Sequence, residues 1–164
     1  MLSVMLEMLP RFPNHQFVIA GAPSQDFDFY KPFTIRYDVR FVSNDTYDLL
    51  SVSTAALVTS GTATLETALF KVPEIVCYKT SWLSYQIGKR LVNLKFISLV
   101  NLILNREVVT ELVQDAFEPN RLEIELKKIL EPAVREEMAS EYDALRMKLG
   151  GAGASKKVAA LLIG

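Results

Sequence analysis

The segment Thr59-Ser60-Gly61-Thr62-Ala63-Thr64-Leu65-Glu66 concentrates the residue types that hold a phosphorylated ligand. It sits where an apolar, strand-like run gives way to a helical pattern. A helix N-terminus at that place presents unpaired N–H groups and a partial positive charge to anions. Gly61 lets the backbone approach a ligand closely. The hydroxyls of Ser60, Thr62 and Thr64 add neutral donors for phosphate oxygens. Glu66 follows Thr62 by four residues, so both lie on one helical face. Its two acceptor oxygens suit the two hydroxyls of a ribose. Phosphate at the helix tip with ribose one turn along describes a nucleoside diphosphate. The plainer alternative is a turn that only caps a helix, with Glu66 as surface charge. Two details lean against it. Ala63, not Glu or Gln, stands three residues after Ser60, so no capping box starts there, and Glu66 has no basic residue at 69 or 70. Spacing alone leaves both readings standing, because short motifs of this kind recur by chance.

Positioning such a site requires strands that end at one rim. Apolar residues at 2, 5, 6 and 9 follow helical spacing and stop at Pro10; Phe17-Val18-Ile19-Ala20-Gly21 then reads as a buried strand. A run from roughly 34 to 42 reads as a second strand, and Asn44 or Asp45 offers an N-cap to the next helix. Residues 55–58 form a third strand candidate, and 62–71 are helical. After the break at Pro73, Glu74 to Tyr78 is a fourth strand. Residues 81–92 read as helix and Phe96 to Val100 as a fifth strand. Continuous apolar strands alternating with single helices indicate an α/β fold, a Rossmann-like parallel sheet flanked by helices. From Pro119 the pattern is charged and helical, restarting at Pro132, with a glycine hinge at 150–153 and a short apolar helix at 155–163. We therefore expect one domain over 1–130 and a helical tail over 131–164.

Composition narrows the partners. A chain of 164 residues, 50% hydrophobic and 23% charged, suits a globular domain with its own core. Eighteen basic residues against nineteen acidic ones give no electrostatic drive toward nucleic acid. The lone cysteine, Cys77, lies in an apolar run and reads as a buried strand residue, which points weakly to an intracellular, cytoplasmic setting. No cleavable leader and no run of about 18 apolar residues is apparent. His15, in the polar turn Pro13-Asn14-His15-Gln16, reads as a solvated turn residue before it reads as a general base. The stretch Trp82 to Leu91 is amphipathic with a Lys89-Arg90 pair; core packing is its default, and contact with acyl chains or anionic lipid is the rarer reading.

The ordered set Ser60 to Glu66, the strand from Pro73 to Tyr78, Lys89-Arg90-Leu91-Val92, Ser98-Leu99-Val100-Asn101-Leu102 and Asn105 to Gln114 resembles lipid-A-disaccharide synthases over about residues 1–130. One departure is Val100, where that family has proline before the asparagine. The resemblance implies the carboxyl-terminal half of a GT-B glycosyltransferase. Such an enzyme joins a UDP-activated diacylglucosamine to diacylglucosamine 1-phosphate with inversion and release of UDP, without metal or cofactor. It places the UDP-sugar donor on Ser60, Gly61, Thr62 and Glu66, with Asn101 and Arg106 on the following loops. Arg106 would be the cation for the diphosphate; from spacing it could equally pair with Glu107 or Glu111. Asn101 could equally cap a helix beginning at Leu102. Other UDP-sugar enzymes of the GT-B fold share these features, and an α/β interaction module without catalysis is the rival of a different class.

By the same resemblance, the family's glycine-serine-arginine loop, the first strand and an amino-terminal domain with the acceptor site and catalytic base are expected to precede Met1. The lipid acceptor would be held there. The tail is expected to pack against that domain or a second copy in a homodimer, and peripheral contact with the inner membrane face stays open. Lacking the base and the acceptor platform, the 164-residue chain alone is expected to transfer no sugar. Glycosyl transfer by the purified chain, followed by release of UDP, would contradict this.

Overall fold

The computed structural model describes residues 1–22, 25–59, 61–80 and 95–150. The helices expected over 81–92 and 155–163 lie outside the described residues, as does Ser60. Helix α1 (Leu2–Leu6) leads through a 3-10 turn (Leu9–Arg11) into strand β1 (Val18–Ala20). Then come α2 (Phe27–Tyr37), β2 (Arg40–Val42), α3 (Thr46–Val52), β3 (Ala56–Thr59) and α4 (Thr62–Leu69). Strand β4 (Glu74–Tyr78) is followed by α5 (Leu99–Leu104), β5 (Thr110–Val113), a 3-10 turn (Gln114–Ala116), α6 (Pro119–Leu130) and α7 (Pro132–Lys148).

Every strand pairing is parallel, as expected of an α/β fold, and the strands form a pair β1-β2 and a triplet β3-β4-β5. Among the described residues the two sheets are not hydrogen-bonded to one another. Helix α1 spans the two parts: Leu2 and Leu6 pack with Ile19, Tyr30 and Val39 over β1-β2, while Val4 and Met5 pack on the core of the triplet. That core centres on Ile75, Val76 and Cys77, each fully buried in the middle strand. A strand enclosed on both faces and both edges has to be apolar throughout.

Two strand assignments are corrected. Residues 34–37 belong to α2, which contains Pro32 and ends at Asp38 in the left-handed region (φ 48°); only Arg40–Val42 is strand. Tyr30, Phe33 and Tyr37 recur at helical spacing and pack with Val39 and Phe41, so burial of one aromatic face outweighs both the proline and local β-propensity. Residues 96–100 are not a strand either. Ser98 caps α5, its hydroxyl accepting the Asn101 N–H at 3.1 Å, and the sheet takes Thr110–Val113 as its fifth strand. Short apolar runs suit strand and buried helix alike, and here the cap decides.

The carboxyl-terminal helices pack on the same core. Leu122, Leu126 and Ile129 of α6 and Met138, Tyr142 and Leu145 of α7 are buried in it. Arg11 fastens the first turn to α6 through Glu123 at 2.6 Å, Asn120 and the Pro119 carbonyl. The Arg11 bond and the stronger one from Lys127 hold the Glu123 carboxyl below its usual range. No described helix is long and apolar enough to cross a membrane.

One buried acid stands out. Glu74 opens β4 at 0% exposure, and neither carboxylate oxygen has a hydrogen-bond partner among the described residues. Burial pushes its pKa well above the usual carboxylate value, because desolvation disfavours the charged form. The adjacent Tyr142 hydroxyl is also without a hydrogen-bond partner, and its pKa is raised by burial and by Glu74. A folded pKa raised above the unfolded value gives stability that is full below about pH 4 and declines as pH rises through the folded value. Glu74→Gln removes that decline. Urea denaturation should find the variant more stable by about 1–3 kcal/mol at pH 8, with the difference shrinking toward pH 4.

Candidate functional site

Parallel strands bring their carboxyl ends to one rim, and there helix N-termini face any ligand. Strand β3 delivers Thr59 to the rim and α4 starts at Thr62, with Gly61 between at φ 127°, ψ −160°. Only glycine tolerates that backbone readily. A Cβ on Gly61 would meet no atom within 4 Å, so the mouth of the helix is open space. Thr62 and Ala63 are exposed, and their N–H groups have no protein acceptor among the described residues. Helix α4 also has no acid in its first turn, leaving its positive end uncompensated.

The threonines divide. Thr62 is free to serve a ligand, whereas Thr64 is fully buried and its hydroxyl donates to the Gly61 carbonyl at 2.8 Å. Its expected role as a phosphate donor gives way to holding the turn. Glu66 is half-buried one turn in and has no hydrogen-bond or ion-pair partner for its carboxylate among the described residues. Gly61, Thr62 and Glu66 are thus brought together.

Asn101 and Arg106 are placed elsewhere. Asn101 is fully buried, its Nδ2 donating to the Val109 carbonyl at 2.8 Å and to Glu111 at 2.9 Å. Its Oδ1 accepts the N–H groups of Val108 at 2.7 Å and Val109 at 3.0 Å. Every bonding direction of the amide is taken, by the loop before β5 and by Glu111 within that strand. Nor does Asn101 cap a helix at Leu102; it lies inside α5, which Ser98 caps. Arg106 pairs with Glu141 of α7, not with Glu107 or Glu111. The residues that follow Glu141 in α7 mark the place: Tyr142 lies beside Glu74 at the amino end of β4, and Asp143 pairs with Lys71, just before that strand, at 2.8 Å. The guanidinium therefore sits toward the amino ends of the strands, away from the rim.

Sequence reasoning passed over two residues that shape the rim. Glu111 accepts the N–H groups of Ile97 at 2.8 Å and Ser98 at 3.0 Å as well as the Asn101 amide, fixing the start of α5 to β5. Gln114, with φ 54° in the left-handed region, accepts from the Thr80 N–H at 2.8 Å and donates to the Thr80 carbonyl at 3.1 Å. That two-way clamp joins the carboxyl ends of β4 and β5. Glu111 and Gln114 stand three apart in the sequence, and no local pattern distinguishes them. Cys77 is buried and its thiol is pushed up to about 12, so it is inert at the rim. His15 is exposed at the other end of the sheet, in an open pocket with Gln16, Asp38 and Arg40, and meets Phe12 edge-on at 5.9 Å.

The sequence profile of the family described as Lipid-A-disaccharide synthetase matches residues 1–162. The chain is 37% identical to the lipid-A-disaccharide synthase of Anaeromyxobacter dehalogenans, an alignment that takes in 100% of this chain and 45% of that protein. It is 40% identical to the synthase of Syntrophus aciditrophicus over 90% of this chain and 40% of the relative. For Geobacter sulfurreducens the identity is 34%, over 96% of this chain and 42% of the relative. The chain thus spans less than half the length of the relatives it matches.

Because the Asn101 amide is buried with all its bonds made to protein, Asn101→Ala should cost about 2–4 kcal/mol of unfolding free energy. Denaturant titration measures it, and a loss under 1 kcal/mol would show that the network is dispensable.

Proposed function

The chain belongs to the lipid-A-disaccharide synthetase family, and we propose that it is the UDP-sugar-binding part of such an enzyme. In this reading the enzyme is an inverting hexosyltransferase that moves diacylglucosamine from UDP to 2,3-diacylglucosamine 1-phosphate. The observation that carries the proposal is the uncompensated, open N-terminus of α4 with the unpartnered Glu66 carboxylate one turn along. Diphosphate oxygens take the N–H groups of Thr62 and Ala63 and the hydroxyls of Ser60 and Thr62, while Glu66 accepts from the two ribose hydroxyls. An excess of donors at the phosphates and acceptors at the ribose distinguishes a nucleoside diphosphate from a simple phosphate. Asn101 serves the donor only indirectly, as a positioning residue that fixes α5 against β5, and Arg106 braces α7.

Helix dipole, N–H groups and hydroxyls together stabilise a departing diphosphate without a metal. Residues 1–130 carry the donor site, and 131–164 brace it from the carboxyl-terminal side. The charged outer face of α7 is left for the other domain or for a second copy. The lipid acceptor falls to the part of the enzyme outside this chain, which works as a peripheral protein on the cytoplasmic face of the inner membrane.

Calorimetric titration of the chain with UDP tests the donor site. Binding should survive EDTA and weaken at least about tenfold in Glu66→Ala, since each lost charge-assisted hydrogen bond is worth about 1.5–3 kcal/mol. Absence of binding at millimolar UDP, or indifference to Glu66→Ala, would count against it.

A further inference from the structure

The donor-site reading leaves the diphosphate without a cation, because the guanidinium of Arg106 is held by Glu141 near the opposite end of the sheet. Strand register points to another. Thr59 is the rung partner of Cys77, the last rung between β3 and β4; Gly61 follows Thr59 and Lys79 follows Cys77 by two residues each, so both come just after the strand ends at the same rim. Adjacent strands lie about 4.8 Å apart, and a lysine side chain spans more than that. Lys79 is exposed, and its ammonium has no ion-pair partner among the described residues. Its backbone is held in place, the N–H meeting Met1 Sδ at 3.2 Å, and the next residue, Thr80, is clamped by Gln114 on both its N–H and its carbonyl.

The electrostatics are the reverse of a helix built for stability alone. Acids belong at a helix N-terminus and cations at its C-terminus. Here the first turn of α4 contains no acid, and a lysine without an ion-pair partner among the described residues follows the end of the neighbouring strand at the same rim. Positive charge next to a positive helix end opposes folding and favours the uptake of an anion, the kind of local rule-breaking found at binding sites.

Resting on the donor-site reading, we propose that Lys79 supplies the cation that neutralises the nucleoside diphosphate at the N-terminus of α4, the part the sequence suggested for Arg106. The ammonium forms a charge-assisted hydrogen bond to a phosphate oxygen while Glu66 holds the ribose. Lys79 is therefore a binding residue for the phosphates and not for the nucleoside.

The test is UDP titration of the whole chain at two salt concentrations, with unliganded melting temperatures measured alongside, for wild type, Lys79→Gln, Lys79→Arg and Arg106→Gln. Lys79→Gln is expected to weaken UDP binding about tenfold and to flatten its salt dependence, with an unchanged or higher unliganded melting temperature. Lys79→Arg should keep affinity within about threefold, because it keeps the charge. Loss of affinity with gain of stability is the signature that a merely structural residue would not give. The proposal is overturned if Lys79→Gln binds UDP like wild type, if affinity and melting temperature fall together, or if the loss follows Arg106→Gln instead. Failure of the donor site itself looks different: wild type then shows no UDP binding, or binding indifferent to Glu66→Ala, and the Lys79 proposal falls with it.

Discussion

The parallel pairing of β4 between β3 and β5 is the constraint on which the rest of the molecule depends. Because Thr59 pairs with Cys77 and Tyr78 with Val113, the strand ends are level, and everything that follows a strand emerges at one rim. The same pairing buries Ile75, Val76 and Cys77 completely, and α4, α5, α6 and α7 pack around that centre. Parallel ladders are sheltered on both faces, so the helices that cover them are obligatory. Their N-termini at the rim are a by-product of that topology.

The two ends of the triplet carry different electrostatics. At the amino ends, cations are closed by acids: Arg106 by Glu141 and Lys71 by Asp143. A buried acid, Glu74, whose pKa burial raises, also sits at that end. At the carboxyl rim the α4 N-terminus, Lys79 and Glu66 are all uncompensated among the described residues. Ion pairs of partly exposed side chains contribute little to stability. The Arg106 pair still places its guanidinium on α7, beside Glu141.

Polar networks between these ends do the fine positioning. Glu111 and Asn101 share a bond at 2.9 Å and between them engage the backbone of Ile97, Ser98, Val108 and Val109. Gln114 does the same for Thr80. Buried networks of this kind hold loops in one geometry because each group left unpaired would cost more than the bond gains.

Much was legible in the residues themselves. Gly61 and Glu66 announced a turn and a free acceptor by their types and spacing. The strand Glu74–Tyr78 and the helix restart at Pro132 followed from apolar runs and prolines, local signals that need no tertiary partner. Residues 34–37 and 96–100 were misread because their form is chosen by what they touch: a face of Tyr30, Phe33 and Tyr37 over β1-β2, and a Ser98 cap set against Glu111. The roles of Asn101, Arg106 and Lys79 were likewise beyond local pattern. Arg106 and Glu141 are 35 residues apart, and only the register of Thr59 with Cys77 brings the ends of β3 and β4, followed by Gly61 and Lys79, to one rim. Sequence by itself determined which chemical groups are present and which short segments repeat with helix or strand period. Tertiary structure decided which of those groups are left free to meet a ligand, because pairing and burial depend on neighbours that the chain brings together only by folding.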